Sequence, residues 1–209
     1  MQSWEEFLPE YEIIEWNEEN FDVTSNKYAQ EAYEAKKWAF VSDYVRLWAI
    51  KEFGGIYLDT DVQVFRNFDR FLQHGFFTGH EKYGNTLSPI TAVMGAKSDH
   101  PLIVKLLDEY KNISFLKPDG SYDIATNTSR ITSLLIDKYE VDKTSDTHQV
   151  LADDVHIYPS TYFCVEDEDS YSVHHFEASW RPYKKQLKAR IKRSKRIPKK
   201  LGKLIGKLL

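Results

Sequence analysis

Two hydrophobic periods meet at Gly54-Gly55, and the change of period there restricts the fold more than any other feature of this 209-residue chain. From Asp43 to Phe53 the apolar residues Val45, Trp48 and Ala49 share one face of a helix. Ser42 is placed as its N-cap, and Gly54 ends it at the C-terminal turn. From Ile56 to Val64 the pattern alternates, as in a strand: Ile56, Leu58, Thr60, Val62 and Val64 point one way and Tyr57, Asp59, Asp61 and Gln63 the other. A helix feeding a strand through a glycine pair is the joint of an α/β layer structure.

Asp59 and Asp61 therefore project together. Paired carboxylates repel, and a hard divalent cation such as Mg²⁺ or Mn²⁺ relieves this by taking one or two carboxylates and completing its shell with phosphate oxygens and water. An Asp-x-Asp triplet met alone more often ends a solvated acidic strand. The helix before it adds Asp43 and Arg46, at i and i+3 on one face. As a local ion pair they contribute only ~0.3–0.5 kcal/mol. As a functional pair, Arg46 presents a planar fork suited to phosphate oxygens while Asp43 accepts from sugar hydroxyls. The residues by themselves weigh these two readings evenly.

Ser42-Asp43-x-x-Arg46 followed by Gly54-Gly55-x-Tyr57-x-Asp59-x-Asp61 resembles the signature of glycosyltransferase family 32, the sugar transferases with a DXD motif, and of the related glucosyltransferase domains of large clostridial toxins. The resemblance implies a GT-A type α/β fold, a mixed sheet flanked by helices, that binds a nucleotide-sugar donor and Mn²⁺ or Mg²⁺. It implies donor hydroxyls at Asp43, donor sugar and phosphates at Arg46, and a pocket wall at Tyr57. Asp59 and Asp61 would serve the metal and the donor, Asp61 being the direct ligand. Weaker similarity runs to Trp180. Tyr11 to Asn17 resembles the second strand of the family, and Asp153 to Pro159 with Tyr162-Phe163 a late strand and turn. In His174-His175-Phe176-Glu177-Ala178-Ser179-Trp180, a histidine would complete the metal shell, Ser179 would assist and Trp180 would pack at the nucleotide. His175 is the preferred ligand from its spacing to Trp180 and His174 its rival; adjacent strand residues face opposite ways, so only one binds.

The chain departs from the family in two places. The usual opening strand is absent, as Met1-Gln2-Ser3-Trp4 already lies beyond it, so the catalytic domain is expected to be truncated at its N-terminus. Around Thr126 to Thr132 the family's Gly-Pro before a Thr is also missing, which leaves the acceptor least defined.

The rest of the chain alternates. Strands are expected near Glu12–Trp16, Phe76–His80, Ile90–Ala96, Val155–Tyr158 and Ser172–Phe176, and helices near Asn26–Lys37, Pro101–Tyr110 and Ser129–Lys138. An apolar share of 42% supports one sizeable core. The single cysteine, Cys164, excludes an internal disulfide and is expected as buried packing in a reducing cytosol. No apolar run reaches membrane-spanning length.

Charge divides the chain. Residues 181–209 hold thirteen of the 28 Lys and Arg and none of the 32 Asp and Glu. The catalytic domain is thus expected at 1–180, strongly acidic, and a basic tail at 181–209. Leu187, Ile191, Leu201, Leu204, Ile205, Leu208 and Leu209 give that tail an apolar stripe, interrupted at Pro198, which suits a helix lying on an anionic membrane. A solvated tail or a nucleic-acid arm is the alternative, the latter disfavoured by the acidic body. Together these features lead to an expected hexosyltransferase of capsule or exopolysaccharide synthesis, at the inner face of the cell membrane, acting on a glycan or lipid-linked acceptor. Two alternatives stand beside it. Asp59 and Asp61 also fit a haloacid-dehalogenase-type phosphatase, with Asp153-Asp154 as a late acidic pair, although Gln63 stands where that motif has Thr or Val. The other is an inactive remnant that binds membrane or a partner.

Overall fold

A computed structural model describes residues 2–84 and 86–176, and residues up to His175 form one compact unit. In chain order its helices and strands are α1 (Gln2–Phe7), α2 (Lys27–Glu34), α3 (Trp38–Phe53), β1 (Gly55–Leu58), β2 (Val62–Val64), β3 (Phe76–Tyr83), β4 (Thr86–Ala96), α4 (Pro101–Lys111), α5 (Asn127–Tyr139), β5 (Gln149–Leu151), β6 (Val155–Tyr158), α6 (Ser160–Phe163) and β7 (Ser172–His174). Five strands make a mixed sheet in the order β1-β4-β3-β6-β5, where β3 and β6 run parallel and every other pair is antiparallel. The α/β architecture expected from the sequence, a mixed sheet flanked by helices, is the one observed, and it is consistent with a GT-A type fold.

Side chains from α2, α3, α4 and α5 form the core with the sheet. Tyr28, Leu47, Met94, Leu102, Ile103, Tyr110, Leu135 and Ile157 are all within 1% of complete burial. Burying residues of this size contributes roughly 1.5–3 kcal/mol each, so this layer dominates stability. The helices start where the sequence supplies acceptors. The Asn26 side chain accepts from the Ala29 N–H to begin α2, and Thr126 accepts from the Ser129 N–H to begin α5. At α4 the cap is a histidine: His100 Nδ1 accepts from the Leu102 N–H, and its Nε2–H donates to the Asp153 carbonyl at 2.7 Å, which sets one neutral tautomer.

Gly54 links α3 to β1 at φ 68°, ψ −161°, a region essentially restricted to glycine. A Cβ there would also lie 3.0 Å from the Ser98 amide nitrogen and 3.1 Å from the Ala96 carbonyl. Local conformation and close packing therefore require the same residue.

Three expectations are corrected. The helix before the glycines starts at Trp38, one turn earlier than expected, so Ser42 is no cap; its hydroxyl bonds back to the Ala39 carbonyl inside α3. Glu12–Trp16 is not a strand. It has no ladder partner among the described residues, Ile13 and Ile14 lie exposed, and Trp16 turns to pack edge-on against Trp48, 5.2 Å between ring centroids. The alternating run Ile56–Val64 is two strands. A turn closed by the Val62 N–H on the Asp59 carbonyl, at 3.0 Å, separates β1 in the main sheet from β2, which pairs instead with β7. The other edge of β2 is covered by α1, where Ser3 Oγ accepts from the Val64 N–H and the Trp4 indole donates to the Val62 carbonyl. The proposed boundary between a domain at 1–180 and a tail at 181–209 falls outside the described residues.

Candidate functional site

Arg46 is the centre of the site. It lies on α3 at 8% exposure, with Nη2 3.3 Å from Asp43 Oδ1 and Nη1 3.3 Å from Asp59 Oδ1. Its Nε donates to the Ser42 carbonyl, and its guanidinium covers the Tyr57 ring at 4.3 Å. A planar fork serves all of these partners at once, which a point-charge lysine could not. Burial opposes its charge, but Tyr57, Asp59 and Asp43 outweigh that and hold Arg46 above the ordinary arginine range.

Asp43 faces inward. Its carboxylate accepts from the Asn127 backbone N–H at 2.9 Å, and the Asn127 side chain returns a bond to the Asp43 carbonyl at 2.6 Å. The first turn of α5 therefore clasps α3, with the carboxylate at the positive end of a helix dipole. Burial raises the Asp43 pKa, and Arg46 and the Asn127 N–H offset part of that. Asp43 thus contacts both Arg46 and the first turn of α5.

Beyond Gly55 the chain brings Tyr57 and then the acids. The Tyr57 hydroxyl donates to Asp59 Oδ1 at 2.6 Å; burial foremost raises its pKa, and Asp59 adds to that. Asp59 takes the Ala92 carbonyl with its own N–H, so its backbone is still anchored to β4 where the turn begins. Asp61 follows on the far side of the turn. Pairing of β2 with β7 sets Val62 opposite His174, and His174 Nε2 comes 3.4 Å from Asp61 Oδ1.

The histidine brought to the acids is therefore His174. His175 Nε2 bonds the Gln63 side chain at 3.0 Å, and its backbone N–H donates to the Asp61 carbonyl. The expected preference for His175 is reversed by the ladder register, since a shift of one residue exchanges the faces of a strand. Ser179 and Trp180 lie outside the described residues. One ligand atom from each of Asp59, Asp61 and His174 lies within 4.8 Å of the others, a set of two carboxylates and one imidazole suited to a divalent cation.

Glu81, at the end of β3, was missed from sequence. Its Oε2 lies 3.3 Å from His174 Nδ1, so the imidazole stands between two carboxylates. Burial pulls the His174 pKa down, but Asp61 and Glu81 push it up to about 9. Asp59, Asp61 and Glu81 thus gather around Arg46 and His174, and a divalent cation taking the place of the His174 proton would add positive charge among these carboxylates. The strand expected at Phe76–His80 stops one residue short of Glu81, and nothing local marks Asn127; both contacts cross many residues of sequence.

Comparison with known proteins bears on this stretch of chain. Residues 1–78 match the family described as "Glycosyltransferase sugar-binding region containing DXD motif", a span that includes Asp43, Arg46, Tyr57, Asp59 and Asp61. The chain is also similar to an uncharacterized glycosyltransferase of Acanthamoeba polyphaga mimivirus, 29% identical over 164 residues, covering 73% of this chain. It spans 62% of the length of that relative. The matched region carries the Arg46–Asp59 pair and the acid turn, so over this part the chain is similar to glycosyltransferases with a DXD motif.

Proposed function

We propose that this protein transfers a sugar, with retention of anomeric configuration, from a nucleotide-diphosphate donor to a glycan or lipid-linked acceptor, with Mn²⁺ or Mg²⁺ at Asp59, Asp61 and His174. One observation supports it above the others: a buried, multiply held arginine and a His/Asp metal cluster converge on the same aspartate, Asp59. When bound, the ion supplies Lewis-acid stabilisation of the departing diphosphate. Arg46 adds a fixed positive charge oriented before reaction, which is where such a charge is most effective. Asp43 and Tyr57 keep its fork in place, and Asp59 is oriented through Oδ1 by Tyr57 and Arg46. In the presence of Mn²⁺, hydrolysis or transfer of UDP- and GDP-sugars should be measurable. Asp61→Asn should abolish it without unfolding the chain, and metal-dependent turnover surviving in both Asp59→Asn and Asp61→Asn would overturn the assignment.

The phosphatase alternative is disfavoured by placement. Its second acidic pair would come from Asp153 and Asp154, but Asp154 docks on the Gly75 N–H before β3 starts, whereas Glu81, near the end of that strand, is the residue beside the site. The strand from Phe76 to Glu81 alone spans about 17 Å. Roles in capsule or exopolysaccharide synthesis and attachment to an anionic inner membrane surface extend the proposal. They rest on the charge and apolar spacing of residues 181–209, which lie outside the described residues. No described helix is long and apolar enough to cross a membrane. Flotation of the full chain on anionic vesicles against a chain ending at Trp180 tests the attachment, and equal soluble fractions would exclude it.

A further inference from the structure

A second cluster of metal-ligating side chains lies at the opposite end of β3. Strands β3 and β6 run parallel with Phe76 opposite Val155, so the residues that precede β3 and those around the start of β6 meet at one end of the sheet. His74, Asp154 and His156 gather there, with one ligand atom of each lying within 4.8 Å of the others. None of them takes part in the donor site.

The backbone makes an uncommon turn to build this cluster. Asp153 and Asp154 are consecutive non-glycine residues in the left-handed region, at φ 57° and 56°, a conformation costing roughly 1–2 kcal/mol per residue. Asp153 is held there by His100 on its carbonyl and by Lys105 and Tyr139 on its carboxylate. Asp154 is thereby directed at His156, with Oδ1 2.9 Å from His156 Nε2.

Each member also has an outer partner. Asp154 Oδ2 accepts from the Gly75 N–H at 2.5 Å, His156 Nδ1 meets His148 Nε2 at 3.1 Å, and His74 Nε2 meets the Tyr158 hydroxyl at 2.8 Å. Orientation of every ligand by a second hydrogen-bonding group is what distinguishes metal sites from chance gatherings of polar side chains. The His74 and His156 rings stack at 3.6 Å between centroids, 22° between planes. Zinc–nitrogen bonds of about 2.0–2.1 Å at a tetrahedral angle require ligand atoms roughly 3.3 Å apart. His156 Nε2 and Asp154 Oδ1, 2.9 Å apart, are already near that spacing, and the stacked His74 ring has to turn for its nitrogen to join them.

We infer that His74, Asp154 and His156 form a structural zinc-type site, separate from the donor site, that ties the entry to β3 to the turn before β6. Two imidazoles and one carboxylate suit Zn²⁺ or Co²⁺ and disfavour the all-oxygen shells of Mg²⁺ and Ca²⁺, whereas the carboxylate-rich donor site has the converse preference. The two sites can therefore be loaded separately.

Co²⁺ serves as the probe, in the full chain carrying Asp59→Asn and Asp61→Asn to silence the donor site. One equivalent of Co²⁺ should bind and give the visible d–d absorption of an imidazole-ligated ion, and Zn²⁺ should displace it. Adding His156→Gln should weaken binding at least a hundredfold. Adding Asp154→Asn, on an exposed side chain whose loss leaves the core intact, should weaken it at least tenfold and alter the spectrum. His148→Gln should lower affinity tenfold or more through His156. Absence of bound Co²⁺ at tens of micromolar in the background chain would overturn the inference. So would binding and a spectrum unchanged by Asp154→Asn and His156→Gln in folded protein.

Discussion

Replacing Arg46 with methionine should destabilise the protein by about 3–4 kcal/mol, and the value follows from which carboxylates it leaves behind. Removing one member of a buried ion pair costs roughly 3–5 kcal/mol, because the remaining charge has lost both water and partner. Asp43 meets that condition, its side chain being only 12% exposed. Asp59 meets it in part: at 28% exposure it regains solvent and keeps the Tyr57 hydroxyl, so it adds little. Methionine fills the aliphatic volume, so the loss is chiefly electrostatic. For a chain of this length it corresponds to a fall in melting temperature of about 6–16 °C. The decisive comparison is the double variant Asp43→Asn/Arg46→Met. Asparagine keeps an acceptor for the Asn127 N–H but carries no charge, so the double variant should recover at least ~2 kcal/mol over the single one. Thermal and urea unfolding followed by circular dichroism measure both, and calorimetry with UDP or GDP plus Mn²⁺ should find nucleotide binding lost in each. A cost below ~1 kcal/mol for the single variant, or no recovery in the double, would refute the account of Asp43 as a buried carboxylate dependent on Arg46.

Four further outcomes follow from the same contacts. With a His174 pKa near 9, metal binding at pH 7 should release close to one proton, and the apparent Mn²⁺ affinity should rise up to tenfold per pH unit until about pH 9; calorimetry in buffers of different ionisation enthalpy reads the proton, and pH-independent affinity would contradict it. Because the folded pKa is raised above the ordinary 6.5, the metal-free protein holds this stabilisation, on the order of 2–3 kcal/mol, in full below pH 6.5 and loses it as pH rises through 9; unchanged urea midpoints between pH 7 and 10 would exclude it. Glu81→Gln removes one of the two carboxylates that raise the pKa, so the midpoint of both pH profiles should move down, readable by NMR of the His174 ring. Gly54→Ala should cost ~2–3 kcal/mol from backbone strain and contact with Ser98 and Ala96; a stability within 0.5 kcal/mol of the parent, on the order of an ordinary surface change, would show that the α3–β1 joint tolerates a side chain.

The joint at Gly54-Gly55 was legible because its signals are local. Helical period before it, strand period after it and a glycine-only conformation between them all lie within about two turns and one strand, and the α/β class follows from their alternation. Asp43 and Arg46 share a face by helical spacing alone. The turn at Thr60-Asp61 was not legible, because a run alternating from Ile56 to Val64 satisfies a single strand equally well. Only the departure of β2 to pair with β7 breaks it.

The partners of the acids had to come from tertiary structure for the same reason. His174 and His175 are equivalent in local pattern, and the choice between them is the register of a three-residue ladder joining segments more than a hundred residues apart. Glu81 and Asn127 reach His174 and Asp43 across similarly long loops of chain. A sequence determines what each short segment prefers, through propensity, period and turn chemistry. Which segments meet depends on the burial of whole faces, and that balance placed Asp61, His174 and Glu81 in one site.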